Sequence, residues 1–370
     1  MRLDAFTRRV MRKNKSNQSR LPLTISAQYG LVDQITFFNK VIASTDMSNY
    51  YLLKKGEFAY NKSYSSDYPW GAIKRLDNYE QGALSSLYIC FTPQDNVESD
   101  FILQYFESPK WHKGVSEIAV EGARNHGLLN VSVQDFFHTY HYVPKDKKEQ
   151  IKIAKLLMLL DERITTQNKI IDKLQSLIKG IVDCTILRKE KNAIVGDVCS
   201  ISEQIRAEAN IDDIITVRLH GNGVCKSSAE NLQLGATQYY RRRAGQLIYG
   251  KQNFHNGAIG IVPISLDNGI TSKDIPSFDI DEMKCNSVYL LAQLQSPQYY
   301  KPAEALTTGT GSKRLKEETF LKMPIVLPNK REQDNIAVLF HRASMNLDHA
   351  KRLLELLSIQ KQFLLRQMFI

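Results

Sequence analysis

Five consecutive residues, Tyr239-Tyr240-Arg241-Arg242-Arg243, set aromatic rings beside guanidinium groups. Such a group stacks on flat surfaces and forks onto paired acceptor oxygens, so its natural targets are phosphate and the guanine edge. A solvated turn is the alternative. Two polar loops carry related chemistry, Arg124-Asn125-His126 and Ser312-Lys313-Arg314. Arg and Asn make two-pronged hydrogen bonds to guanine and adenine respectively, and the two loops differ, as readers of different bases should. Near the start, Arg8, Arg9, Arg12, Lys13, Lys15 and Arg20 form a basic cluster. It suits phosphate contact, with a solvated chain start as the alternative. Tyr60 with Lys62, and Tyr249 with Lys251, recur at matching places and point to a shared task, either backbone contact or folding. For the tyrosines, core packing is the competing role.

Bulk charge points the same way. Lys and Arg number 49 against 39 Asp and Glu, a formal charge of +10, which draws polyanions such as double-stranded DNA. Catalytic signatures are missing. No phosphate loop of the G-x-x-x-x-G-K-[ST] kind occurs, and TTGTGSKR (307–314) ends in the wrong residues for one. The Asn-Pro-Pro-Tyr stretch of an amino-methyltransferase is absent too. Eight histidines lack metal-ligand spacing, and five cysteines form no C-x-x-C pair, so we expect no metal, no cofactor and free thiols in a reducing compartment. No eighteen-residue apolar run is present, and the basic N-terminus lacks a signal-type apolar core. A cytoplasmic protein is the expected reading, with a mitochondrial presequence as the alternative.

What positions these residues is a duplication. KKGEFAYNKSY (54–64) is echoed by RAGQLIYGKQNF (243–254), and WGAI (70–73) by NGAI (256–259). ESPKWHK (107–113) answers to QSPQYYK (295–301), the loop GARNHG (122–127) to GTGSKR (309–314), and VPKDKKEQ (143–150) to LPNKREQ (327–333). The shared order identifies a tandem repeat of one domain plus one helix. Runs such as LYICFTP (87–93) and AIGIVPI (258–264) have strand character and lie between turn residues. The expected class is mixed α/β in tandem.

Each repeated entrance opens a long helix. In the first, Ile153, Leu157, Leu160, Ile164, Ile171, Leu174, Ile178 and Ile181 recur in steps of four and three, broken only by Gln167. In the second, Ile336, Phe340, Ala343, Leu347, Ala350, Leu354, Leu357, Leu364 and Met368 keep that rhythm, with Lys361 as the break. A seven-residue period held over several heptads specifies a supercoiled seam. About forty residues make a helix of roughly 60 Å, too long for a small domain to cover, so the two seams should pair as an antiparallel coiled coil with a pseudo-two-fold axis. We divide the chain into a first domain (1–143), a first helix (144–190), a second domain (191–327) and a second helix (328–370).

Two similar basic domains on a stiff spacer predict two-point binding to a gapped, asymmetric DNA site. The order of domain, helix opened by Pro, a short basic cluster and Glu-Gln, domain and second such helix resembles the DNA-specificity subunit of type I restriction–modification systems. LPLTISAQYGLV (21–32), YYLLKKGEFAYNKSYS (50–65), GAIKRL (71–76) and VEGARNHGLL (120–129) are similar to one class of its target-recognition domains. The resemblance implies a non-catalytic chain in which each domain reads one half-site. It also implies docking of two methyltransferase subunits on the helices. Those partners would use S-adenosylmethionine to methylate adenine at N6, and separate restriction subunits would supply motor and nuclease. A fused type II-like enzyme and a protein-binding coiled-coil scaffold are the rival readings.

Overall fold

Short runs rich in aromatic and branched residues become the central strands of both halves. In the computed structural model, residues 1–40, 43–119, 127–227, 237–309 and 312–369 are described. The chain divides into two units, Met1–Gln167 with Leu353–Ile370, and Asn168–Arg352. The first unit holds an antiparallel sheet in the order Thr7–Arg9, Ile89–Pro93, Phe58–Asn61, Ala72–Arg75. The second holds Cys199–Ile201, Ser277–Ile280, Leu247–Tyr249 and Ile259–Ile261 in the same relative order, again antiparallel. The duplicated sequence therefore builds a duplicated platform. Ring stacking fills each core: Phe58 on Phe91 and Tyr60 on Phe136 in one, Tyr249 on Phe278 in the other.

The matching Gly71 and Gly257 explain why WGAI and NGAI agree at that letter. Both have positive φ, +78° and +75°. A Cβ on Gly71 would meet the Asn61 carbonyl oxygen at 2.1 Å, and one on Gly257 would meet the Tyr300 ring at 2.9 Å. Only glycine allows both the conformation and the close approach.

The halves part company in their second sheets. The first unit adds Gly30–Asp33, Pro22–Ser26, Gln81–Leu84 and Tyr51–Lys54, with one parallel pairing between Pro22–Ser26 and Gln81–Leu84. The second adds three strands, Arg206–Ala207, Tyr239–Arg241 and Ile270–Ser272, and a separate pair, Ile215–Val217 with Val224–Lys226.

The two long helices run over Lys147–Val182 and Lys330–Gln367. Their buried positions follow the heptad rhythm. Leu157, Leu160 and Ile171 are buried on the first, with Ile153, Ile164, Leu174, Ile178 and Ile181 half-buried. On the second, Ile336, Ala343, Ala350 and Leu357 are buried, with Phe340, Leu347, Leu354, Leu364 and Met368 half-buried. In the first unit, Ala154 and Leu157 share a core with Leu365 and Phe369, so the start of one helix lies beside the end of the other. In the second unit, Val182 and Ile186 share a core with Ile336 and Ala337, the reverse pairing of ends. Within each unit the helices are thus antiparallel. The polar break Lys361 is paired with Asp161, whose other oxygen accepts from Gln104 of the domain at 2.9 Å.

A second apolar row remains outside the seam. Leu156, Leu159, Ile170 and Leu177 on the first helix are exposed, as are Leu353, Leu356, Ile359 and Phe363 on the second. No helix among the described residues is long and apolar enough to cross a membrane. All five cysteines are free thiols.

Candidate nucleic-acid interface

Strand alternation sorts the Tyr-Arg run. Tyr239 points inward at 6% exposure and Arg241 outward. The next residue turns in again: Arg242 is completely buried, which corrects its reading as a DNA contact. Its guanidinium donates to Thr271 Oγ1 at 2.8 Å, Ser277 Oγ at 2.9 Å and the Ile275 carbonyl at 3.0 Å. Burial pulls its pKa down to about 10, which still leaves it charged at neutral pH. Every strong donor direction is met by an oxygen, so Arg242 ties the divergent sheet to the strand at Ser277. Arg243 is exposed.

Arg241 lines an open cleft of about 630 Å³ in the second unit, together with Arg206 and Lys226. Asp212, Asp213 and Asp267 line it as well. With Glu208 the lining carries four carboxylates, which a pocket for phosphate alone would not, whereas donors mixed with acceptors match the edges of bases. Arg206 and Lys226 escaped the sequence reading. Arg206 reaches this place only because its strand pairs with Tyr239–Arg241, Arg206 opposite Tyr240, and no local pattern announces that long-range pairing.

Tyr60 and Tyr249 settle as core residues, both fully buried. Tyr60 donates its hydroxyl to the Trp70 carbonyl at 2.9 Å, and Tyr249 donates to that of Leu315 at 3.1 Å. Burial raises both phenol pKa values. A side chain with no exposed surface cannot touch a duplex, so these two are corrected from contact to framework. Lys251 is half-buried and paired with Glu317 at 2.7 Å. Lys62 is half-buried, its amine 3.4 Å from the Val131 carbonyl.

The basic start divides as well. Arg12 grips the buried Glu57 with both terminal nitrogens, at 2.7 and 3.1 Å, and Lys13 donates to the Asn49 carbonyl while lying over the Tyr51 ring. Both make these contacts within the domain while remaining partly exposed. Arg8 and Arg9 lie exposed on the strand Thr7–Arg9.

The two candidate loops are followed by matching anchors. After the first, the Leu129 amide donates to the Lys62 carbonyl at 2.9 Å; after the second, the Leu315 amide donates to the Lys251 carbonyl at 2.9 Å. Arg124, Asn125 and His126 themselves lie outside the described residues. In the second loop, Thr308 and Arg314 exchange both backbone hydrogen bonds. Gly309, at φ +130°, makes that closure possible, since a Cβ there would sit 2.5 Å from the Ser312 carbonyl oxygen. Ser312, Lys313 and Arg314 are exposed at the tip. Lys313 lies 3.7 Å from Glu304 and Arg314 3.3 Å from Asp274, all four side chains largely in water. Exposed pairs of this kind hold by about 0–1 kcal/mol, so neither cation is held firmly by its pair.

The fold as a whole, two domains each joined to a long helix, is matched by solved structures. The chain has the fold of a type I restriction–modification S subunit. The crystal structure of the S subunit from M. genitalium matches 100% of this chain and 95% of its own, at 12% identity and a TM-score of 0.64. A chain from a structure described as underlying complex assembly and conformational transition of the type I R-M system matches over 99% and 96%, at 13% identity and 0.52. HsdS from Thermoanaerobacter tengcongensis matches over 100% and 95%, at 14% identity and 0.45. No protein-family model and no curated protein matches the sequence.

Proposed function

We propose that this chain is the DNA-reading, non-catalytic subunit of a type I restriction–modification complex. Each globular domain reads one half of a bipartite, asymmetric duplex site, and the helices set the gap between halves. The observation that carries the reading is the pairing of a duplicated platform sheet with unlike second sheets. Identical tasks need identical frames, while two different half-sites need different readers. Exposed cations support it: Arg8 and Arg9 in the first domain, Arg241, Arg243, Lys313 and Arg314 in the second. They suit the sequence-independent attraction to phosphate on which all base reading is superimposed.

The exposed apolar row on the helices supports docking of methyltransferase subunits. A groove of about 320 Å³ beside it is floored by Ile151, Ala154, Met158 and Leu159 and rimmed by Glu98 and Glu162. Apolar surface rimmed by charge marks protein contact. Adenine-N6 methylation by S-adenosylmethionine is then the partners' chemistry, and cleavage belongs to restriction subunits of the same complex, working in the cytoplasm.

The deciding experiment maps N6-methyladenine in the genome of a methylation-free host. One culture expresses the chain with its neighbouring methyltransferase, another the methyltransferase alone. A gapped, non-palindromic motif only in the first is the expected result. A stable complex that leaves no motif would overturn the reading in favour of a protein scaffold.

A further inference from the structure

The Gln that closes each helix entrance makes the same contacts in both units. Gln150 and Gln333 are each 1% exposed. Gln150 Nε2 donates to the Pro144 carbonyl at 2.8 Å, and Gln333 Nε2 donates to the Pro328 carbonyl at 2.8 Å. The opposite end of each amide accepts from the globular domain: the Glu98 amide reaches Gln150 Oε1 at 2.7 Å, and the Asn286 amide reaches Gln333 Oε1 at 2.8 Å. Glu98 and Asn286 are the N-cap residues of the domain helices Ser99–Glu107 and Ser287–Leu294.

One neutral side chain therefore joins three bodies: the long helix, the turn that enters it and the mouth of a domain helix. Only a carboxamide can do this, because one end must donate and the other accept at the same moment. Water is excluded, so neither bond has a replacement partner. Further links brace the second joint. Gln333 Nε2 also donates to the Lys284 carbonyl at 3.1 Å, and Asn286 Nδ2 donates to Asp334 Oδ1 at 2.8 Å. Apolar packing alone would let the domain rock on its helix. Directional bonds at a buried pivot oppose that motion.

We infer that Gln150 and Gln333 are positioning residues that lock each domain at one angle on its long helix, and so make the complex selective for one gap length. The inference rests on the proposed DNA-reading role, but the stiffness of the joint is measurable without DNA.

The test uses the full chain with Cys184 and Cys225 replaced by Ser. Spin labels go on Lys55→Cys and Arg163→Cys for the first unit, and on Asn268→Cys and Arg342→Cys for the second. Q150L should at least double the width of the first distance distribution and leave the second alone; Q333L should do the converse. Q150E and Q333E keep the acceptor and lose the donor, and should fall between. Leu53→Ala, a core change remote from the joint, serves as a control that lowers the melting temperature without widening the distribution. Binding of the chain with its methyltransferase to duplexes carrying the mapped motif supplies the second readout. The preference for the native gap over a gap changed by one base pair should fall about tenfold in Q150L, with base preference in each half-site unchanged. Wild-type widths and wild-type gap preference in the Leu variants would overturn the inference. If the wild-type complex yields no gapped motif, the DNA-reading role fails, and the distance widths alone then decide whether the joints are rigid.

Discussion

Arg241, Arg242 and Arg243 are chemically identical and do different work, because the backbone turns one inward between two outward. Removing Arg242 leaves the Thr271 and Ser277 hydroxyl oxygens without its N–H groups, and leaves the Ile275 carbonyl with only the Thr271 hydroxyl as donor. R242M should therefore destabilise the second domain by about 3 kcal/mol in a urea titration. The double change of Arg241 and Arg243 to Ala should leave that midpoint in place and flatten the salt dependence of DNA binding by one contact or more. His141 makes a different prediction. It is buried, with Nδ1 3.0 Å from the Tyr105 hydroxyl and Nε2 2.7 Å from Thr139 Oγ1, and burial lowers its pKa to about 4. The unfolded chain takes up a proton near pH 6.5 that the folded one refuses. Stability is thus full above that pH and is lost as pH falls towards 4, by about 2 kcal/mol between pH 7.5 and 5. Hydrogen exchange of first-domain amides should register that loss, and H141Q should abolish its His-dependent part. The sequence announced the basic run but not its inward member, since the buried oxygens that receive Arg242 come from residues about 30 positions away.

At the scale of elements, the helices were the most readable part of the chain. Their seam obeys a local seven-residue rule, and positions such as Leu157, Leu160, Ala343 and Leu357 are buried as that rule requires. The rule also separates neighbours. L157A should cost about 3 kcal/mol by the usual large-to-small penalty. L156A, one residue earlier and 44% exposed, should stay within about 0.5 kcal/mol of wild type. On the docking proposal, L156A combined with Leu159→Ala should instead weaken pull-down of the methyltransferase. The Pro-to-Gln entrances were visible as a repeated phrase, but their purpose was not. That purpose depends on the Glu98 and Asn286 amides, which lie about 50 residues upstream and carry no side-chain signature. Strand order was equally hidden, because short strands reveal their alternation but not their neighbours.

For the whole molecule, the duplication could be read from shared landmarks, whereas the difference between the halves could not. The landmarks fall on the platform sheet and the helix entrances, the parts under the same geometric demand in both copies. Between them, residues 10–53 and 202–242 share little, and they supply strands to unlike sheets. If the helices act as a ruler, inserting one heptad into both should lengthen the target gap by about three base pairs, from about 10 Å of added helix at 1.5 Å per residue and 3.4 Å per base pair. Methylome mapping of the insertion variant checks this: half-sites unchanged and the gap longer is the expected result, and an unchanged gap would remove the ruler.

The platform strands Thr7–Arg9 and Phe58–Asn61 are separated in sequence by residues 10–57, most of the divergent sheet, yet only the strand Ile89–Pro93 lies between them in the platform. That stretch leaves the frame at one edge and returns at its middle strands. On the DNA-reading proposal that stretch, with its partner strand Gln81–Leu84, is the natural unit of exchange. A crossover exchanging it for a foreign counterpart would leave the entrance glutamine, the seam and the exposed apolar row as they were. Such a lineage could acquire a new vocabulary in one event, while keeping the same grammar and the same partners.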